Sequence, residues 1–466
     1  MDYSILINKN NKIKSNYLDR VNLIKTIDVY NNDCYVEEKS YEAYLELKEF
    51  LKNKMNLEIG IESAYRDIEY QKEVYKEYLE KYGKEYADKY VAPPEYSEHH
   101  TGLAIDISLK INGEYPDYNK EPEERIKIYE SIHPYLKDFG FILRYPKGKD
   151  DKTGYPYEPW HIRYVGKFIA SIVTENNLTF DEYKNNFSGV IVVNKEKNCT
   201  SFDIVNKISH LFGIKKVGHT GTLDPLAEGV LIVCIGQATK IVELLTAKDK
   251  EYIAGVKLGM KTDSYDIEGK VIEEKQVPEN IHLKDVLSSF KKTYLQEVPI
   301  YSAVKVNGKK LYEYARSNKK VELPKKEVTI KEIELLKEDK AEFTFKTLVT
   351  KGCYIRSLIN DIGNDIGCGA IMTSLTRTKQ GNVDISESNT MEEIENGTYK
   401  LYKIEEVLDY PQITVDKELE FKIKNGMKIY NEWKIKDKVI FKNNSNKLLG
   451  IYEVDNQKLR VWKNFN

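Results

Sequence analysis

The 466-residue sequence predicts a multidomain α+β protein, and three observations predict it. The length calls for two or three domains. Two long segments mix apolar residues at helical spacing with short apolar strand runs. Past residue 408 the pattern changes to short alternating runs, which read as a small β-domain. A stretch of alternating character without a long linker, LTFDEYKNNFSG at 178–189, marks the first boundary. We therefore expect domains at 1–186, 187–408 and 409–466.

Composition narrows the class. A hydrophobic content of 41% is ample for real cores, and a net charge of −2 neither announces nor excludes a nucleic-acid binder, because a basic patch can sit inside a neutral sum. Five scattered cysteines without a CxxC pair read as reduced thiols. The polar opening MDYSILINKNNKIKSNYLDR lacks the apolar core of a secretory signal, and no apolar run approaches the ~18–20 residues of a membrane span. The expectation is a cytoplasmic protein with no membrane segment.

In the first segment, Tyr44, Leu47 and Leu51 recur at helical spacing and lead into a short strand at 57–61. A second helix is expected to start near Asp67, with Arg66 at the strand-to-helix junction. SEHHTGLAIDIS at 97–108 sets a His-rich turn before a strand that carries Leu103, Ile105 and Ile107, and YEPWHIRYVG follows at 157–166. Two imidazoles and one carboxylate, His99, His161 and Asp106, are a set that zinc accepts with a position left for water. Glu158 is the nearest candidate base for that water. Pro159 argues against Glu158 and His161 sharing a helical turn, so this is not an HExxH site. Taken singly, each of these residues reads equally well as an ordinary polar residue.

SEHHTGLAID, SAYRDIEYQ, FGFILRYPKGKDDKTGYPYEPWHIRYVG and the opening LINKNNKI together resemble the VanY-type D-Ala-D-Ala carboxypeptidases. The resemblance implies an α+β zinc peptidase domain in which His99, Asp106 and His161 ligate Zn²⁺ and Glu158 activates the water. Arg66 would stabilise the oxyanion, Gln71 and Ser97 would contact the peptide, and the substrate would be a D-Ala-D-Ala-ending peptide or peptidoglycan precursor. The alternative is a non-catalytic scaffold or interaction domain.

The second segment opens with a strand at 190–193 and a helix capped at Thr200 or Ser201. GHTGTLDPLAEGVLIV at 218–233 then presents Asp224 on a small-residue turn before a buried strand, Val230 to Val233. Read alone, Asp224 is a turn-capping aspartate or a single-carboxylate nucleophile. A strand over Tyr252 to Val256 and a locally basic, tyrosine-bearing stretch at 297–328 follow. Arg356 stands at a strand-to-helix corner, and a strand carries Leu375 and Arg377.

GHTGTLDPLAEGVL, EYIAGVKLG, VPIYSAVKVNG, GCYIRSL and SLTRT, in this order, resemble the TruB-type tRNA pseudouridine synthases. The resemblance implies a central α+β domain with a mixed or antiparallel sheet, no cofactor, and the tRNA T arm as partner. Asp224 would be the nucleophile, Tyr252 would pack on the target uracil, and Arg356 would pair with Asp224. His219, Lys195, Lys305, Lys309 and Arg377 would serve RNA binding, and the family's NKPxG motif departs here to NKEKN. The tail is similar to a PUA-like RNA-binding module. The implied whole is a T-loop (position 55) pseudouridine synthase fused to a zinc D,D-carboxypeptidase.

Overall fold

The computed structural model describes residues 2–111, 113–115, 123–317 and 319–465. The chain forms two compact units, Met1–Phe187 with Ser209–Lys215, and Ser188–Ile208 with Lys216–Asn466. Among the described residues, no helix is long and apolar enough to cross a membrane.

The first unit is built on an antiparallel four-stranded sheet in the order Ile59–Ser63, Ala104–Leu109, His161–Tyr164, Phe141–Leu143. Every residue of Ala104–Leu109 is buried, as befits a central strand. The Glu38–Met55 helix packs Tyr44, Leu47 and Leu51 into the core of this sheet and stops at Asn56, which adopts the left-handed conformation. Asp67 caps the Ile68–Tyr82 helix by accepting from the Tyr70 amide, which fixes the chain direction directly after Arg66. A Thr179–Glu182 capping box starts the Phe180–Asn186 helix.

The second unit carries a nine-stranded mixed sheet. Its main path runs Thr293–Glu297, Lys325–Asp339, Glu342–Val349, Lys250–Leu258, Ala370–Gln380, Glu228–Ile235, Gly189–Lys195. Along this path only Ala370–Gln380 and Glu228–Ile235 pair in parallel; the other neighbours are antiparallel. The Ile355–Ile366 helix packs Leu358, Ile359 and Ile362 into one core of this unit. A second core, with Val190, Val230 and Ile232, also takes in Ile440 and Ile451 from the C-terminal five-stranded sheet and Phe465 just past its last strand.

The tail differs from expectation at one element. The alternating run Leu419 to Ile423 reads as strand, but Lys417–Lys424 is a helix. Asp416 caps it through the Leu419 amide, and Lys422–Glu418 and Lys424–Glu420 pair one turn apart. Leu419 and Ile423, four residues apart, pack into the tail core, while Phe421 is left exposed. A run this short satisfies both periods, and the cap decides between them.

Candidate active sites

In the first unit, Ser97 accepts from the His99 amide and starts a tight turn that ends at Gly102. The strand that follows carries Asp106 beside His161, since the two residues are register partners across Ala104–Leu109 and His161–Tyr164. The His99 ring Nδ1 lies 2.6 Å from the Ala64 carbonyl, and its Nε2 lies 3.2 Å from Asp106 Oδ2. His161 Nδ1 lies 3.0 Å from Asp106 Oδ1 and 3.3 Å from Glu158 Oε2. Among the described residues, His99, Asp106 and His161 are one group able to hold a metal ion, with ligand atoms within 4.8 Å of one another. All three are buried. A carbonyl that takes His99 Nδ1–H frees Nε2 as a lone-pair donor, so two imidazoles and a carboxylate converge as a set suited to zinc.

Burial lowers the His99 imidazole to about 4, and the Arg66 charge pushes the same way. Burial raises the Glu158 carboxyl, against the pull of His161. Arg66 donates to Asp106 Oδ2 at 3.0 Å and to Ser63 Oγ at 3.0 Å. Gln71 is buried, and its amide donates to the Ala92 carbonyl. His100 and His133 bond to the Arg66 and Pro159 carbonyls, away from this group.

Behind the site lies a buried ionic network that motif spacing does not reveal. Glu98 Oε1 accepts from Arg163 Nη1 and forms an ion pair with Arg144 Nε, each at 2.8 Å. Arg144 continues to Asp181 at 2.5 Å and to the Ile7 carbonyl, while Arg163 donates to the carbonyls of Tyr3 and Ile5. The opening segment is thereby pinned to the back of the site. Burial alone would raise the Glu98 carboxyl, but the two guanidinium charges outweigh it and hold it well below the ordinary range.

In the second unit, Asp224 stands on a turn clamped on every side. Ser201 Oγ accepts from the Leu223 amide at 2.9 Å, and the Asn198 amide donates to the Pro225 carbonyl at 2.9 Å. Arg377 donates to the Gly221 carbonyl at 3.1 Å and to the Val230 carbonyl at 2.6 Å. Lys195 Nζ donates to the carbonyls of Glu196 and Cys199 and, at 3.5 Å, to that of Pro225. Sheet register explains the convergence. Tyr252 pairs with Arg377, Arg377 with Gly229, and Gly229 with Lys195, so one row crosses four adjacent strands under the turn. Gly229 has φ 101°, and a Cβ there would meet the Arg377 carbonyl at 2.3 Å; no side chain fits. Gly218, by contrast, has room for a methyl group.

Asp224 Oδ2 receives Arg356 Nε at 2.9 Å, and the carboxylate remains about one-third exposed. The other Arg356 nitrogens donate to the Ser264 carbonyl (3.1 Å), Asp266 Oδ2 (3.4 Å) and the Tyr301 carbonyl (3.0 Å). Asp266 is itself fixed by Ser264 Oγ at 2.5 Å and the Glu268 amide at 3.2 Å. Spacing gave no cue to Asp266 beyond its place in an Asp- and Thr-rich loop. Tyr252 is buried beside Arg377, and that burial raises its phenol.

The residues expected to bind RNA divide. Lys195 and Arg377 are buried and turned to backbone carbonyls, so burial makes them supports of the Asp224 turn rather than surface cations. His219 is half-buried, and its Nδ1 accepts from the Gly221 amide at 3.3 Å. Lys305 and Lys309 lie outside this cluster, exposed on the hairpin Lys305–Val306/Lys309–Lys310.

The first unit thus carries a buried cluster suited to a metal ion, and the second a half-open carboxylate held on a rigid turn. Residues 33–167 match the D-alanyl-D-alanine carboxypeptidase (VanY) family. Residues 209–355 match the N-terminal domain of the TruB family pseudouridylate synthases, and 356–412 the tRNA pseudouridylate synthase B C-terminal domain. The tRNA pseudouridine synthase B of Clostridium tetani is 42% identical over 273 residues, 58% of this chain and 93% of that protein. That of Bacillus licheniformis is 46% identical over 255 residues, 52% and 82% respectively. A VanY D,D-pentapeptidase from a VanB-type resistance cassette, solved with Zn(II), is 29% identical over 39% of this chain and 99% of that one, at a TM-score of 0.34. The chain belongs to the tRNA pseudouridine synthase B family and carries a VanY carboxypeptidase domain ahead of the synthase.

Proposed function

We propose that the second unit converts the T-loop uridine at position 55 of tRNA to pseudouridine. The first unit, in the same proposal, removes D-Ala from D-Ala-D-Ala-ending peptides, and both act in the cytoplasm. The observation that carries the first reading is the half-open Asp224 carboxylate, held on a rigid turn with Arg356 on one oxygen. The isomerisation breaks the N1–C1′ bond, turns the base in the pocket, joins C5 to C1′, and moves the C5 proton to N1. Asp224 supplies the carboxylate that frees the base, either by adding to C6 of the ring or C1′ of the ribose and leaving again when C5 joins C1′, or by taking the C2′ proton and returning it, and Arg356 offsets its charge. The buried Tyr252 ring gives the uracil a face to pack on while it turns. His219 stands at the rim of the same turn, and Lys305 and Lys309 are free to meet phosphates. The five-stranded tail serves as a PUA-like contact to the tRNA.

In the first unit, His99 Nε2, Asp106 and His161 Nδ1 would hold zinc. When bound, zinc polarises the scissile carbonyl and lowers the pKa of water beside it. Glu158, raised by burial, takes the water's proton and passes it to the departing D-Ala amine. Arg66 adds positive charge where the carbonyl oxygen becomes an anion, and Gln71 and Ser97 shape the peptide's approach.

The test uses the full chain with an unmodified tRNA transcript and a D-Ala-D-Ala peptide. Pseudouridine is expected at the T-loop position alone, with D-Ala released in parallel. A zinc chelator should stop D-Ala release and leave pseudouridine formation unchanged. Modification at another position would overturn the assigned specificity.

A further inference from the structure

We propose that Glu98 is the positioning residue that sets the His161 ring for metal binding, an inference that rests on the cation-site reading of His99, Asp106 and His161. His161 turns only Nδ1 toward that site, to Asp106 and Glu158. Its other nitrogen, Nε2, is buried with no hydrogen-bond partner. It faces Glu98 Oε2 at 3.8 Å, and that oxygen is likewise buried and without a hydrogen bond. Two orphaned atoms, one able to donate and one able to accept, thus lie 3.8 Å apart, just beyond bonding range.

The chemistry of imidazole closes the gap. A neutral ring carries one N–H, and a cation on Nδ1 needs that nitrogen's lone pair. The proton then sits on Nε2 and requires an acceptor, and Glu98 Oε2 is the one in place. Glu98 cannot swing away, because Arg144 and Arg163 grip its other oxygen at 2.8 Å each and are themselves fully buried.

The experiment measures zinc affinity of the full chain by competition with a chromophoric chelator, for wild type, Glu98→Gln, Glu98→Asp and Asp181→Asn. In Glu98→Gln the arginines claim the amide oxygen and leave its NH₂ facing His161 Nε2, donor against donor. Zinc affinity is expected to fall about 10- to 100-fold, as for outer partners of metal-bound histidines generally. Glu98→Asp keeps the charge between the arginines, and so the fold, but draws the carboxylate back from the ring; it should fall about tenfold as well. Asp181→Asn loosens the far end of Arg144 without touching His161 and should lower the melting temperature with zinc affinity unchanged. A folded Glu98→Gln or Glu98→Asp with wild-type affinity would overturn the proposal, as would an equal loss in Asp181→Asn. Wild type that takes up no zinc would overturn the cation-site reading itself.

Discussion

Asp224 and Arg356 share one ion pair but stand in different surroundings, and their variants should part accordingly. Asp224 is partly exposed, so Asp224→Asn should abolish pseudouridine formation while the melting temperature and tRNA affinity hold. Arg356 is buried and also faces Asp266, which is buried too. Arg356→Met strands that carboxylate and should cost about 3–5 kcal/mol of stability as well as activity, read by urea titration and by turnover. The lysines divide in the same way. Lys309 is exposed, and Lys309→Ala should reduce the salt slope of tRNA binding by about 1. Lys195 holds the Pro225 turn from below, so Lys195→Met should lower kcat and leave that slope unchanged.

The central strands hold the synthase site through register. Tyr252, Arg377, Gly229 and Lys195 come together because antiparallel and parallel ladders meet at the Ala370–Gln380 strand. A one-residue slip would turn every one of these side chains to the other face. Gly229 is the point where this arrangement tolerates no side chain. Gly229→Ala should therefore destabilise the protein by about 1–3 kcal/mol and suppress activity, because φ is positive and the added carbon meets backbone. Gly218→Ala, made in the same segment with open space around it, should be close to neutral. Chemical denaturation of the two variants side by side checks the contrast.

Each of the two units has a hydrophobic core of its own, the first beneath the four-stranded sheet and the second on both faces of the nine-stranded one. Separate cores predict two transitions in calorimetry rather than one. Zinc at a hundredfold excess over its Kd should raise the transition of the first unit by about 5–10 °C and leave the other in place. Movement of both transitions together would contradict a zinc site confined to the first unit.

The residues proposed to do chemistry were legible along the chain as members of short motifs. His99, Asp106, Glu158, His161, Asp224 and Arg356 lie in short motifs whose local spacing sets their surroundings, and both family assignments follow from such motifs. The helix start at Asp67 and the buried strand after Asp224 were legible for the same reason, since caps and apolar runs act over a few residues. Tertiary packing alone decided the rest. It turned Lys195 and Arg377 inward, joined Asp266 to Arg356 across 90 residues, and set Glu98 behind His161. Lys417–Lys424 is a helix where alternation suggested a strand, because the Asp416 cap settles a run too short for its period to decide. Register, burial and the partners of a buried charge depend on segments far apart in the chain, and local periodicity carries no record of them.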